Sequence, residues 1–374
     1  MHSRFNEYAI AFLEKALEKL LNQQIDVRPL LSTAKIFNRI LIKDSVCFQI
    51  DKSLAASYPG SGGSGSPAAV RIQFEYDLLK GQINDLSVNA FNDQDATNSI
   101  ETLELTRQGD LVIRDLAYIN IHVLKRLIDK GAYFFSRLQY NVTVYEKKDN
   151  SYEQLNFVKL RNFMKKNNLD VTEKEVYLGY FERLQVRLIA HLLPDDVVAE
   201  RLRKANKNNK KKGRNQLSKE YKARAALNLF ITNATKDQIS RERVYSFYRL
   251  RWQIELMFKI WKSLCHIDKV KKVKRERLEC YIYAKLICIV LTWKMLWAVA
   301  KFIFVKDKKS LSFYKAFKTL LRIKLTELRN ILFCGIGNIN QFMISFYHMS
   351  KTKHLLEKRL QEPTSIQILI TCLN

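Results

Sequence analysis

The sequence has few of the residues that mark secreted, disulfide-bonded or zinc-binding proteins. Its 374 residues include only six cysteines and six histidines. No two cysteines have the Cys-x-x-Cys spacing of a zinc or redox site, and no histidine stands at zinc-ligand spacing. The N-terminus carries no apolar signal segment. These absences predict a protein of a reducing cytosol, in which cysteines act as small buried hydrophobic residues.

Long apolar runs are also missing. The most apolar stretch, Tyr281 to Val305, is interrupted by Lys285, Lys294 and Lys301. Its uncharged runs therefore fall well short of the roughly 20 apolar residues that a membrane span needs. We expect this stretch to be a core helix, and we expect no membrane partner.

Acidic residues are scarce relative to basic ones. The chain has 37 Asp and Glu against 64 Lys and Arg, which gives a net charge of +27. Such an excess favours a polyanionic partner, either nucleic acid or an anionic membrane. Residues 201–280 alone hold 24 basic and 7 acidic residues, so the basic surface is concentrated there. The length and the 47% hydrophobic content predict a folded protein of two or three domains.

The centre of this basic region is a predicted helix, Tyr245 to Lys262, which contains neither Gly nor Pro. At about 100° per residue, one of its faces is apolar. The opposite face groups one carboxylate with a tyrosine and three cations: Tyr248, Arg251, Glu255, Lys259 and Lys262. A charged stripe is most often a solvated surface. A carboxylate held between cations beside a core instead favours an ion-pair network, or metal and phosphate chemistry.

The spacing on this face is Tyr-x2-Arg-x3-Glu-x6-Lys. It matches the YREK signature, and the sequence therefore resembles the bacterial insertion-sequence transposases of the DDE type. The resemblance implies that Glu255 is the last of three metal-binding acids. It also implies that Tyr248, Arg251 and Lys262 hold DNA phosphates near the metals, with Lys259 beside them.

Two upstream segments contain the first two of the three metal-binding acids that the resemblance implies. Residues 36–50 predict a buried strand that contains Asp44, and the family writes its first acid as Asp-Ser/Thr after an apolar strand. Residues 109–118 predict a short strand that ends in Asp115, and they match the family's Gly-Asp-Leu-Val-x-x-Asp-Leu-Gly-Tyr except for alanine at the last glycine. Asp51 also follows an apolar run, so it is an alternative to Asp44.

The alternation of strands and helices predicts an α/β fold with a mixed sheet flanked by helices. It resembles the ribonuclease-H-like core of the DDE transposases over roughly residues 36–330. Five regions are expected: an N-terminal helical remnant (1–35), the first part of the core (36–138), a β-rich insertion with a basic arm (139–224), the second part of the core with the catalytic helix (225–330), and a C-terminal helical tail (331–374).

The resemblance also implies the chemistry. Asp44, Asp115 and Glu255 would bind two Mg²⁺ ions, with Mn²⁺ as a substitute, because hard cations remove the repulsion between the carboxylates. Two such ions about 4 Å apart support in-line displacement at phosphorus. The implied function is that of an insertion-sequence DNA transposase, which hydrolyses DNA at the transposon ends and then transfers the freed 3′-hydroxyl to target DNA.

The implied partner is double-stranded DNA, both the inverted-repeat ends and the target. Paired-end chemistry implies a homodimer in the synaptic complex, and the expected location is the bacterial cytoplasm at the nucleoid. The basic run 201–214, which includes Lys210, Lys211 and Lys212, predicts either a solvated arm or a set of DNA-backbone contacts.

One feature departs from the family. Only 43 residues precede Asp44, whereas the family carries a longer N-terminal helical region that recognises the transposon ends. We therefore expect either a start codon that is assigned late or an N-terminally truncated copy. Two other functions fit the residues: a catalytically decayed nucleic-acid-binding protein, and a metal-dependent DNA nuclease without strand transfer.

Overall fold

In the part of the chain that the structure describes, the fold is built on ten strands. The computed structural model of the protein describes residues 4–23, 36–62, 65–92, 98, 100–115, 118, 120–149, 151–213, 216–322 and 336–357. The strands are β1 (Arg39–Gln49), β2 (Ala69–Asp77), β3 (Ile83–Ala90), β4 (Asp110–Arg114), β5 (Tyr133–Arg137), β6 (Val144–Lys148), β7 (Ser151–Gln154), β8 (Val171–Leu178), β9 (Leu184–Leu192) and β10 (Leu227–Thr232).

All ten strands form one sheet in the order β3-β2-β1-β4-β5-β10-β9-β8-β6-β7. The central strands β1, β4 and β5 are parallel, and the remaining pairs are antiparallel. This confirms the predicted α/β fold with a mixed sheet, and it is consistent with a ribonuclease-H-like core. The strands of the predicted insertion, β6 to β9, extend the same sheet beyond β10.

Helices cover this sheet. The described residues form α1 (Glu7–Asn22), α2 (Ile121–Asp129), α3 (Phe157–Lys166), α4 (Asp195–Lys211), α5 (Lys219–Ala225), α6 (Val244–Tyr248), α7 (Trp252–Ser263), α8 (Arg275–Asp307), α9 (Phe313–Leu320) and α10 (Ile336–Lys353). The helix predicted from Tyr245 to Lys262 is α6 and α7, joined by a 3-10 turn at Arg249–Arg251. The basic arm is helical up to Lys211, as part of α4. Parts of the two predicted terminal regions, residues 24–35 and 358–374, lie outside the described residues, as does Ala117.

Two apolar layers lie on opposite faces of the sheet, because side chains alternate along each strand. On one face, Ile40 and Ile42 of β1 pack with α7, α8 and α9. On the other face, Leu41 packs with α2, α3 and α5. The face on which a strand residue points therefore decides which helices it meets.

Helix α8 is, among the described residues, the one helix long and apolar enough to cross a membrane by length and composition. It lies against the sheet. The indole N–H of Trp293 donates to the carbonyl of Gly81 at 2.8 Å, and the rings of Trp293 and Tyr76 meet edge to face at 5.3 Å. These contacts are those of a core helix.

Asp77, at the end of β2, predicts a measurable dependence of stability on pH. Its Oδ1 accepts hydrogen bonds from the backbone N–H of Ile40 and Leu79, while its Oδ2 is buried without a hydrogen-bond partner in the described structure. Burial raises the pKa of Asp77 to about 6, although these hydrogen bonds oppose the shift. The folded protein thus binds the proton more tightly than the unfolded chain, whose pKa is 3.8.

A carboxyl group with a raised pKa contributes stability that is complete below about pH 4 and lost as the pH rises through about 6. Relative to Asp77→Asn, the wild-type protein should lose about 2 kcal/mol of unfolding free energy between pH 4 and pH 7. Urea unfolding of both proteins across this range measures the difference. Parallel profiles would show that Asp77 is ionised equally in the folded and unfolded states.

Candidate active site

Two parallel strands place Asp44 and Asp115 side by side. Lys43 of β1 is aligned with Arg114 of β4, so the next residue along each strand is an acid. Since side chains alternate, both acids face away from Lys43 and Arg114. They lie on the side of the sheet where Ile42 packs with the apolar face of α7. This is the helix that carries the third predicted acid.

Arg251 joins these strands to Glu255 on α7. Its Nη1 donates to Asp44 Oδ2 at 3.3 Å, and its Nη2 donates to Glu255 Oε1 in a short ion pair. Burial lowers the pKa of Arg251, but Tyr248, Asp115 and Glu255 outweigh burial and raise it above its ordinary value. The structure therefore brings all three predicted acids around one guanidinium group.

The donor chemistry of this cluster suits a divalent cation. Carboxylate oxygens are the ligands that Mg²⁺ prefers, and Asp44 and Glu255 keep 22% and 37% of their side-chain surface exposed. In the part of the chain that the structure describes, no group of three or more His, Cys, Asp or Glu is arranged to hold a metal. The positive charge between the carboxylates is supplied by Arg251. The residues thus fit a cation in type and charge, but the guanidinium occupies the shared position.

Tyr248 stands beside this cluster. Its ring centroid lies 5.7 Å from Arg251 Cζ. Burial raises the pKa of its phenol, with Asp115 adding to the shift and with Arg251 and Arg137 opposing it. The phenol therefore stays protonated at neutral pH and can donate a hydrogen bond to an anionic oxygen.

The lysines predicted to contact DNA lie in three different places. Lys262 is exposed and donates to the carbonyl of Cys47 at 3.2 Å, on the same strand as Asp44. Lys259 is exposed as well, but its ammonium lies 5.7 Å from the ring centroid of Tyr314 on α9. The last three are exposed at the end of α4, a helix with no buried residues: Lys210, Lys211 and Lys212.

Asp51 has a local structural contact instead. Its carboxylate caps the short 3-10 turn Lys52–Leu54, where it accepts hydrogen bonds from the backbone and hydroxyl of Ser53 at 3.0 and 2.6 Å. Asp44, by contrast, contacts Arg251 directly. The contacts therefore favour Asp44 over Asp51 as the first acid.

Two arginines near the site were not among the predicted site residues, although Arg201 begins the basic run 201–214. Ile113 of β4 is aligned with Phe135 of β5, which places Arg137 level with Asp115 and close enough to affect Tyr248. Arg201 of α4 is partly buried, and its pKa is lowered by this partial burial and by the nearby charge of Arg137. Functional groups collect at the C-terminal ends of parallel strands. The same argument that selected Asp115 could therefore have selected Arg137, which ends β5.

A buried ionic network lies on the opposite face of the sheet, directly behind the two strand acids. Lys43 Nζ donates to Asp85 at 2.8 Å and to the hydroxyl of Thr102 at 2.9 Å. Arg114 Nη2 donates to Glu75 at 3.0 Å. Burial would raise the pKa of Glu75, but Arg114 and Lys43 outweigh it and hold that pKa below its ordinary value. Two cations and two carboxylates thus balance in the interior.

Asp44 lies in the middle of β1, Asp115 directly follows β4, and the helix that carries Glu255 packs over the same face of the sheet. This is the order of acids that the resemblance to the DDE transposases implies. A family model described as "Transposase DDE domain" matches residues 35–291. The chain therefore belongs to the DDE transposase family.

Similar proteins come from insertion sequences. The chain is 37% identical over 331 residues to the transposase of element IS231F of Bacillus thuringiensis subsp. israelensis, across 84% of this chain and 69% of that protein. It is 34% identical to the IS231E transposase of B. thuringiensis subsp. finitimus and 30% identical to the IS1151 transposase of Clostridium perfringens. Each of these two matches covers 99% of this chain and 80% of the relative. This family and these relatives support the main function predicted from the sequence, a DNA transposase of an insertion sequence.

Proposed function

We propose that Asp44, Asp115 and Glu255 are the catalytic acids of this transposase, and that they cut DNA at the transposon ends and join the 3′-hydroxyl to target DNA. The observation that supports this most strongly is the contact of two of the acids with Arg251, whose pKa the third also raises. Three carboxylates on separate elements would repel one another unless positive charge lay between them.

Divalent ions, Mg²⁺ or Mn²⁺, would be held by these three acids. When bound, they supply Lewis acidity to the attacking and leaving oxygens of the phosphodiester. The protein contributes the positions. Asp44 and Asp115 are held by the paired strands β1 and β4, and Glu255 is held by a helix whose other face is buried in the core.

The cations around the acids would bind the DNA backbone. Arg251 and Tyr248 lie at the acids, and Arg137 is close to Tyr248, so together they suit the phosphate that is cut and its neighbours. Lys262 is anchored on β1 and suits a flanking phosphate. Lys210, Lys211 and Lys212 on exposed α4 would add affinity without sequence information, since phosphate contacts read no bases. Lys259 is less suited to bind DNA phosphates near the acids, because its ammonium lies over the ring of Tyr314.

The partners follow from the reaction. Inverted-repeat ends and target are both duplex DNA, and two ends must be cut together, so a homodimer on DNA is part of the proposal. The proposal also includes the YREK signature, because its four residues follow the family's spacing: Tyr248, Arg251, Glu255 and Lys262. We place the protein at the nucleoid of the bacterial cytoplasm, where its DNA lies.

The test is an assay of end cleavage and strand transfer. The purified full-length chain is incubated with duplex DNA that carries the inverted repeats flanking the element, with Mg²⁺ or with chelator. Ends that are cut and joined to a target plasmid only with Mg²⁺ are the expected products. Cleavage without joining would indicate a nuclease, and binding without cleavage would indicate a decayed DNA-binding protein.

A further inference from the structure

The guanidinium group of Arg251 occupies the centre of the candidate site. Its side chain is only 16% exposed. It contacts Asp44 on β1 and Glu255 on α7 at once. Its Nε is buried and has no hydrogen-bond partner in the described residues. Ion pairs thus hold Arg251 in place, while its Nε–H donor is unsatisfied. The unsatisfied donor lowers the free-energy cost of moving the side chain.

A divalent cation would need the same oxygen atoms. Asp44 Oδ2 and Glu255 Oε1 both accept from Arg251, and Asp44 Oδ1 accepts from the backbone N–H of Ser45 at 2.8 Å. A guanidinium and a metal ion cannot share these lone pairs closely, because they are like charges. Metal binding at these two oxygen atoms would therefore require Arg251 to move away.

A DNA phosphodiester offers Arg251 a second position. The planar guanidinium fork matches two phosphate oxygens as well as it matches carboxylates. Tyr248, with Arg137 beside it, makes the surroundings of Arg251 suitable for an anion. A phosphate that enters the site would thus compete with the acids for Arg251.

We propose that Arg251 makes metal binding depend on DNA. In the free protein its guanidinium neutralises the acids and excludes the divalent ion. When DNA binds, a phosphodiester takes Arg251 and frees the carboxylates for the metal. The inference rests on the proposed function, since it takes the same acids as metal ligands. It means that the free protein is held in a form without its catalytic metal until substrate arrives.

The test measures metal affinity rather than activity. Mn²⁺ is titrated into the full-length protein without DNA, and free Mn²⁺ is followed by electron paramagnetic resonance. Arg251→Met keeps the length of the side chain but removes its charge, and it should bind Mn²⁺ at least about tenfold more tightly than wild type. Arg251→Gln gives the same comparison if the methionine variant does not fold. The matched control, Arg241→Ala, removes one charge from an exposed pair with Glu242 and should leave Mn²⁺ affinity unchanged.

Two further measurements complete the experiment. A short duplex, after subtraction of a DNA-only titration, should raise the Mn²⁺ affinity of wild type by about the same factor and that of Arg251→Met much less. Adding Glu255→Gln to Arg251→Met should abolish the tighter Mn²⁺ binding that Arg251→Met shows without DNA. Equal affinity of wild type and Arg251→Met, with both weakened by Glu255→Gln, would overturn the inference and leave the metal site intact. If Glu255→Gln changes the Mn²⁺ affinity of neither wild type nor Arg251→Met, both the inference and the proposed function are overturned.

Discussion

Amide substitution of any one acid, as Asp44→Asn, Asp115→Asn or Glu255→Gln, should reduce end cleavage at least about a thousandfold. Under the proposed function, each change removes one charged ligand from a site whose metal ions would supply several kcal/mol of transition-state stabilisation, and about 4 kcal/mol corresponds to three decades in rate. DNA binding should stay equal or become tighter, because a negative charge near the phosphates is lost. Single-turnover cleavage and filter binding on the same DNA measure both effects.

Asp51→Asn is the matched control for these variants. Its carboxylate caps a turn through Ser53, so the variant should cut DNA at close to the wild-type rate. An inactive Asp51→Asn together with an active Asp44→Asn would assign the first acid to Asp51. Cleavage at wild-type rate in all three acid variants would contradict the enzymatic proposal.

The second large effect is expected on stability, at the buried network behind the acids. Glu75→Ala should lower the free energy of unfolding by about 3–5 kcal/mol. The reason is that Glu75 and Lys43 are fully buried and Arg114 nearly so. The change removes the carboxylate that Arg114 contacts and leaves Lys43 paired with Asp85 beside it. Guanidinium chloride unfolding of variant and wild type measures the difference.

An exposed ion pair gives the comparison for this loss. Glu153 pairs with Lys148, and both side chains are more than half exposed, so Glu153→Ala should change the stability by less than about 1 kcal/mol. A loss at Glu75 as small as this would show that water or a local rearrangement neutralises the network. Because Lys43 and Arg114 directly precede Asp44 and Asp115, the same variant also tests whether the network holds the acids in place.

Periodicity predicted the local elements well, since it depends only on neighbours in the chain. The apolar run around Asp44 is β1, the run that ends at Asp115 is β4, and the stretch from Tyr245 onward is helical. The helical wheel was less informative about long side chains. It grouped Lys259 with Glu255, but the flexible side chain of Lys259 carries its ammonium to Tyr314 on α9. A helical wheel describes one helix and cannot show where a neighbouring helix lies.

Strand pairing lay beyond what periodicity could predict. The segment expected as a β-rich insertion contributes four strands to the common sheet, because hydrogen-bonding partners are chosen across long stretches of chain. The position of Arg137 at the end of a strand could be inferred from the sequence, but its place level with Asp115 depends on the parallel register of β4 and β5. The basic run near Lys210 belongs to α4, although its charge pattern alone was equally typical of a solvated arm.

By itself, the sequence determined which residues are available for chemistry, since the acids, their strands and the spacing on the helix are local properties of the chain. Only the tertiary structure decided how they meet. Register between β1 and β4 puts two carboxylates side by side, and packing of α7 on that face sets Glu255 opposite them. The tertiary structure also places Arg251 between the acids, because converging negative charges in a partly buried site require a positive charge among them.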